Sequence, residues 1–375
     1  MQKNISDISI IGLRGYPSEF IGTSGVEAYV EQVILRLLKK DKKLNFLVYS
    51  KTNYRAPKNR CIRVIIKPVY TLSSRVFESI IYALLASIYS AFDDSKVIWF
   101  QGMGMALFAF LPRLCGKRVV VTVHAPDWER KKWSKSERIV FYFVAKMTSC
   151  FGNRYSAVSR FLVKQLKKDF NIKAVFTPPG FFKFERNIKY SKLDKLGLEK
   201  DKYLLYLGRI VPEKRIEWLI ESYLKLKMSY PGQKLVIAGG HGNMPAYEQS
   251  LINKYQNSDI LWLGYVFGSL KKALLGAASC LVIPSELEGS SISFMEGISF
   301  GKRCVIPVNF VEKEFLYLEN VIVFKKKDRK SFEEGLKKAL VTQNHRNQKL
   351  FSREIFRKTE FTWENTAVKY CSILQ

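Results

Sequence analysis

The stretch Ser279–Pro307, SCLVIPSELEGSSISFMEGISFGKRCVIP, decides the fold. Cys280–Ile283 is a continuous apolar run, the pattern of a strand buried on both faces, and Pro284-Ser285 breaks it. An acidic loop follows, then a helix near Ser291–Phe300 and a second strand at Arg303–Ile306. Strands joined by so short a helix run parallel, so the loop lies at a strand's carboxyl end, where open α/β sheets bind ligands. Glu288 and Glu296 bracket that loop with seven residues between them. Glu288 falls ahead of the helix and Glu296 within it, so both can face one cleft. Gly289, Ser290 and Ser291 lie at the helix start, whose unpaired N–H groups and dipole favour anions. A structural reading competes: Ser293 and Glu296 have capping-box spacing, and Gly301 suits a helix-ending glycine. Spacing alone leaves both open.

A strand–helix alternation extends this pattern both ways. Upstream, strands are expected at Asp7–Leu13, Asn45–Ser50, Cys61–Pro68, Lys96–Phe100 and Arg118–Val123. Helices are expected near Val26–Lys40, Ser73–Phe92, Met103–Cys115 and Ser159–Phe170. A second series runs through Tyr203–Leu207, Lys234–Ala238, Ile260–Leu263, Cys280–Ile283, Arg303–Ile306 and Val321–Phe324. Such alternation means doubly wound parallel sheets, and two in tandem leave a cleft for a ligand. The expected division is residues 1–183, a polar linker at 184–201, a second domain at 202–358, and a closing helix at 359–375 that returns to the first domain.

Three further clusters carry chemistry. Gly208-Arg209-Ile210-Val211-Pro212-Glu213-Lys214 follows a strand, and its Arg209 and Lys214 can converge on one anion, fork and point charge together. They also fit an ordinary solvent-facing turn. His124 ends the strand Val119–Val123, and Asp127 follows it; a lone histidine is often structural, and an aspartate here could simply cap the next helix. Gly12, Gly15, Gly22 and Gly25 do not form G-x-G-x-x-G, which gives a nicotinamide site little support.

PSELEGSSISFMEGISFGKRCVIP resembles the E-x7-E segment of family 4 glycosyltransferases, retaining enzymes with the two-domain GT-B fold. Ser290, Ser291 and Ser293 stand where that family commonly has Phe, Gly and Pro. GRIVPEKRIEWLIESY is similar to the family's donor-diphosphate phrase. LRGYPSEFIGTSGVEAYVEQV resembles its first loop and helix, with Gly25 and Glu27 at matching positions and Ser24 where another glycine is common. HAPDWERKKWSK looks like the H-x-x-D-W-x-R-x-K-W of the branch acting as rhamnosyltransferases in bacterial polysaccharide assembly. The resemblance covers nearly the whole chain. It implies a hexosyltransferase in which Arg209 and Lys214 hold the donor diphosphate, helped by Gly289, Ser290 and Ser291. It further implies that Glu296 binds the donor ribose, Glu288 the sugar ring, that His124 lies near the anomeric carbon, and that Gly25 adjoins the donor. Glu27 and Asp127 are acceptor-side candidates.

The resemblance also implies no cofactor and no bound metal, the substrates being a nucleotide-diphosphate sugar and a glycan or polyprenyl-diphosphate-linked acceptor. No Asp-x-Asp occurs in the chain. A nucleotide-sugar epimerase of related shape, or a catalytically silent paralogue that binds anionic surfaces, would share parts of this pattern.

Composition bounds the partners. There are 62 Lys and Arg against 33 Asp and Glu, a formal net charge of +29. The first 183 residues hold 31 of those bases and 12 of those acids. Such a field suits nucleic acid, an anionic bilayer or anionic small molecules. No nucleic-acid-reading motif accompanies it. Arg130–Lys135 with Trp133, and helix Ser159–Phe170 with Arg160, Lys164, Lys167 and Lys168, mix bases with aromatics and suggest docking on an anionic leaflet. Uncharged runs such as Ser79–Phe92 fall short of the ~20 residues of a spanning helix, and no signal peptide is recognisable, so a cytoplasmic, peripheral enzyme is expected. The six cysteines show no C-x-x-C and suit reduced core thiols.

Overall fold

A computed structural model of the chain describes residues 7–17, 25–51, 63–71, 77–129, 134–182, 188–242, 244–256, 259–341 and 359–375. The expectations for Gly22, Ser24, Cys61 and Arg130–Trp133 fall outside those residues. The chain forms two units, one of residues 1–180 with 363–375, the other of residues 181–362. Each is a sheet of parallel strands flanked by helices.

In the first unit the strands are β1 (Ile8–Ile11), β2 (Phe46–Lys51), β3 (Val64–Val69), β4 (Val97–Gln101), β5 (Arg118–Val123), β6 (Arg154–Ala157) and β7 (Ala174–Phe176), in the order β3-β2-β1-β4-β5-β6-β7. β1 and β4 are buried at every residue, and apart from Ser9 and Gln101 both are apolar, as a strand covered on two faces requires. Helices α1 (Gly25–Lys40), α2 (Phe77–Phe92), α3 (Phe110–Leu114), α4 (Lys135–Thr148) and α5 (Arg160–Phe170) connect them. α1 buries Tyr29, Val30, Val33, Ile34, Leu37 and Leu38, the i, i+3, i+4 stripe of a helix laid on a sheet.

Two features depart from the sequence reading. β6 and β7 extend the sheet to seven strands. β6 hides from pattern because its buried Ser156 is polar; the hydroxyl is satisfied by Thr122 Oγ1 at 2.8 Å and the Tyr370 hydroxyl at 3.0 Å. The helix expected at Met103–Cys115 is a 3₁₀ turn, Gly104–Ala106, followed by the short α3. Pro112 has no N–H to donate, so a helix holding it can begin only a residue or two earlier.

The C-terminal helix, Trp363–Leu374, packs on α1. Its fully buried Tyr370 hydroxyl shares hydrogen bonds with Thr122, Ser156, Thr177 and Tyr29, and the ring lies 4.7 Å from that of Trp99. Thr366 Oγ1 donates to the Pro178 carbonyl at 2.5 Å.

The second unit has β8 (Tyr203–Leu207), β9 (Lys234–Ala238), β10 (Ile260–Gly264), β11 (Cys280–Val282), β12 (Arg303–Pro307) and β13 (Val321–Phe324), ordered β10-β9-β8-β11-β12-β13. Its helices are α6 (Ser191–Asp194), α7 (Ile216–Lys227), α8 (Pro245–Lys254), α9 (Gly268–Ala277), α10 (Ile292–Ser299) and α11 (Arg329–Val341). The stretch read as a linker is folded over its described part: residues 188–201 belong to this unit, where α6 buries Leu193, and Leu198 is buried too. The order reverses between β8 and β11, which makes their carboxyl ends the switch point of this sheet. Gly239, beyond β9, holds φ +150°; a Cβ there would stand 1.7 Å from the Gly208 carbonyl oxygen, so only glycine lets the ends of β8 and β9 close up.

The thiols are less uniformly internal than expected. Cys280 and Cys304 are buried, and burial pushes the Cys280 thiol up to about 12, while Cys115 and Cys150 are exposed.

Candidate active site

Sequence places Arg209 and Lys214 after β8, and Ser285 and Glu288 after β11; the strand order makes these loops neighbours. Lys214 Nζ lies 2.5 Å from Glu288 Oε1, and Ser285 Oγ donates to that oxygen at 2.7 Å. Only 12% of either charged side chain is exposed. Burial lowers the affinity of the Lys214 ammonium for its proton; Glu288 opposes the shift and the nearby Arg209 adds to it. Tyr206, whose hydroxyl donates to the Arg209 carbonyl at 2.6 Å, is raised well above the ordinary phenol range by burial and then by Glu288. Arg209, Lys214 and Glu288 therefore form one electrostatic cluster. Arg209 also packs under Gly242, with its Cδ 3.1 Å from where a Cβ would be.

Glu296 sits in a second pair. It is 7% exposed, and Lys271 Nζ on α9 donates to its Oε1 at 2.6 Å. This corrects the capping-box alternative. The N-cap of α10 is Ser291, whose Oγ accepts from Phe294 N at 3.2 Å, while Glu296 lies deeper in the helix and turns to Lys271. A carboxylate has about four lone-pair sites, so the bond to Lys271 does not exhaust Glu296 as a hydroxyl acceptor. Gly289 is buried and Ser290 half-buried immediately ahead of the cap. Gly301 does end α10, in the left-handed region at φ +66°.

A separate cluster lies in the first unit at the carboxyl ends of β1, β4 and β5. His124 Nε2 is 2.9 Å from Gln101 Oε1, and the imidazole meets the Tyr29 ring edge-on at 5.2 Å between centroids. Burial pushes His124 down to about 4, with Asp127 pulling weakly the other way. The imidazole is neutral at pH 7 and can accept as well as donate. Asp127 Oδ2 stands 3.9 Å from where Gly102 would carry a Cβ, so it borders the β4 turn. Asp127 does not cap α4; Ser134 does, in a capping box with Glu137. Glu27 is 3% exposed and accepts the backbone N–H of Arg14 at 2.9 Å, tying the loop after β1 to α1. Gly25 is the exposed first residue of α1. A cavity of about 730 Å³ in this unit opens at the opposite, amino-end edge beside Asp7, Lys96 and Arg118, away from His124.

Sequence reading missed three residues. Lys271 carries only the faint signal of a base in the first turn of a helix. Ser285 lies in the quoted stretch, where its bond to Glu288 needs the turn's geometry. Gln101, the last residue of β4, becomes visible only once β4 and β5 are paired through Gln101 and Thr122.

The depressed His124 has a consequence for stability. Its folded value, about 4, lies below the ordinary 6.5, so the unfolded chain takes up the proton first as pH falls. Stability is unaffected above about pH 7 and declines from about 6.5 to 4, by roughly 2 kcal/mol at pH 5. His124→Asn is expected to remove that part of the decline in chemical denaturation at pH 7 and pH 5. A pH dependence identical to wild type would show that another group causes it.

Two family descriptions match side by side, Glycosyltransferase Family 4 over residues 23–181 and Glycosyl transferases group 1 over residues 190–349. Each half of the chain thus matches a glycosyltransferase family model. Over 215 residues the chain is 27% identical to an uncharacterized glycosyltransferase of Methanocaldococcus jannaschii, MJ1607. That match covers 53% of each protein, so the chain spans about half the length of the curated relative it matches. Sucrose-phosphate synthase of Thermosynechococcus elongatus has the same fold, with a TM-score of 0.77 over 98% of both chains and 16% identity. HepE of Anabaena, solved with UDP and glucose, aligns with a TM-score of 0.72 and 14% identity over 98% of this chain and 99% of its own.

Proposed function

We propose that this glycosyltransferase is a retaining, metal-independent enzyme of bacterial surface polysaccharide assembly. It moves rhamnose from dTDP-rhamnose to a polyprenyl-diphosphate-linked glycan at the inner face of the plasma membrane. The observation that carries the reading is the pairing of Lys214 with Glu288 beside Arg209, at the switch point of the second sheet. Breaking the bond between the anomeric carbon and the diphosphate leaves negative charge on the departing oxygens. Arg209, partly buried, and Lys214, largely shielded from water, would stabilise that charge as it develops, in the place of a metal ion. Lys214 has three donor directions; one serves Glu288, and the others are suited to phosphate oxygens. Glu296 would accept the ribose hydroxyls, and Glu288 those of the sugar. The neutral His124 would face the anomeric carbon without adding charge there. Asp127 remains the acceptor-side candidate. Glu27 is better explained by its bond to Arg14, and contact with an anionic leaflet belongs to the same reading.

Thermal-shift measurements across UDP-, GDP- and dTDP-sugars test the reading. dTDP-rhamnose is expected to stabilise the wild type and neither Arg209→Ala nor Glu296→Ala, with turnover surviving EDTA. Stabilisation by another nucleotide would replace the donor assignment. No stabilisation by any donor would remove the clamp.

A further inference from the structure

Helix α4 turns an apolar face to water. Its inward side holds Ala145 and Thr148, while Ile139, Val140, Phe143 and Met147 are 54–60% exposed. At 100° per residue those four fall within an arc of roughly 100°, and Lys135 and Lys146 border one edge of it. A helix on the surface of a water-soluble protein carries polar residues on that arc. The patch continues onto α3. Arg113 Nη1 donates to the carbonyls of Cys150 and Phe151 at 2.9 and 2.8 Å, and the Phe110 ring lies 5.6 Å from that of Phe151. This holds α3 against the end of α4, with Leu114 81% exposed and Phe110 partly so. Six large apolar side chains exposed together are more than single surface hydrophobics explain.

The charge around the patch indicates what covers it. The Tyr142 ring on α4 lies 5.3 Å from that of Phe170, which places α5 alongside, with Lys164, Lys167 and Lys168 exposed. Residues 113–173 hold fifteen Lys and Arg against four Asp and Glu. An apolar arc edged by lysines, in a strongly basic surround, matches a helix lying in the headgroup region of an anionic leaflet. We infer that α4, with Phe110 and Leu114 of α3, is the face by which the first unit docks on an anionic bilayer. Ile139, Val140, Phe143 and Met147 enter the boundary between headgroups and acyl chains, and Lys135 and Lys146 meet lipid phosphates. The inference deepens the reading of a lipid-linked acceptor, on which its biological sense rests, but the docking itself needs no turnover.

Flotation of the full chain with vesicles tests it, using phosphatidylcholine alone and phosphatidylcholine with about 30 mol% phosphatidylglycerol. Binding to the anionic vesicles only is expected, weakening as salt rises. Ile139→Glu combined with Phe143→Glu is expected to weaken binding at least ~10-fold, and Lys135→Ala or Lys146→Ala roughly fivefold each. Both apolar sites are exposed, so the double variant keeps its thermal transition and its response to donor. Equal binding to neutral vesicles, or unchanged binding of the double variant, would overturn the inference. So would a dimer in sedimentation that the double variant dissolves, which would make the face a contact between copies. Vesicle binding without any donor response would sink the transfer reading alone; the converse would sink the docking alone.

Discussion

Lys214→Ala is expected to lower kcat/KM for sugar transfer by roughly 10²–10³-fold, the usual loss when one preorganised charge-stabilising donor leaves a water-poor site. The variant also leaves Glu288 with little besides Ser285 for a partner, and an uncompensated carboxylate this little exposed destabilises the second unit. The two effects separate in the pair Lys214→Met with Glu288→Gln, which removes both charges. That double variant is expected to recover most of the lost thermal stability while activity stays low. The measurement is initial rate against donor concentration, beside a thermal melt of each protein. Lys214→Ala within about threefold of wild type would show the lysine to be a structural partner of Glu288 and nothing more.

The second large effect concerns stability. Trp363 is 1% exposed at the start of the C-terminal helix, and its ring meets that of Tyr29 at 5.6 Å between centroids. Trp363→Ala is expected to destabilise the first unit by about 3–5 kcal/mol through lost burial and the cavity left behind. For a unit of this size that is a fall of roughly 6–20 °C in its calorimetric transition. Tyr370→Phe, which keeps the ring and removes the hydroxyl shared with Thr122, Ser156, Thr177 and Tyr29, is expected to lose about 1–3 kcal/mol. Tyr29 touches both Trp363 and His124, so a donor-saturated rate that falls in Trp363→Ala would mean the C-terminal helix also positions the imidazole. A transition lowered by less than about 2 °C would show that the first unit holds its core without this helix.

What sequence determined by itself was local and periodic. Tyr203–Leu207, Lys234–Ala238, Arg118–Val123 and Val321–Phe324 are strands at the expected residues, because a parallel strand covered by helices is apolar through most of its length. The same necessity set the α/β alternation, and with it the loops after β8 and β11 that carry Arg209, Lys214 and Glu288. Turn chemistry was legible too, as with Gly301, since a left-handed residue after a helix favours glycine.

Tertiary structure decided whatever depends on partners far along the chain. β6 is a strand although Ser156 is polar, because Thr122 and Tyr370 supply its hydrogen bonds from 34 and 214 residues away. Glu296 fitted a capping box by spacing; the actual cap is Ser291, and the carboxylate is turned to Lys271, a residue on another helix. Asp127 fitted a cap as well, and borders the β4 turn instead. Each is a polar side chain for which several short-range bonds of similar strength compete. Spacing cannot rank such bonds. Burial ranks them, because a polar group removed from water takes the partner that packing brings within reach.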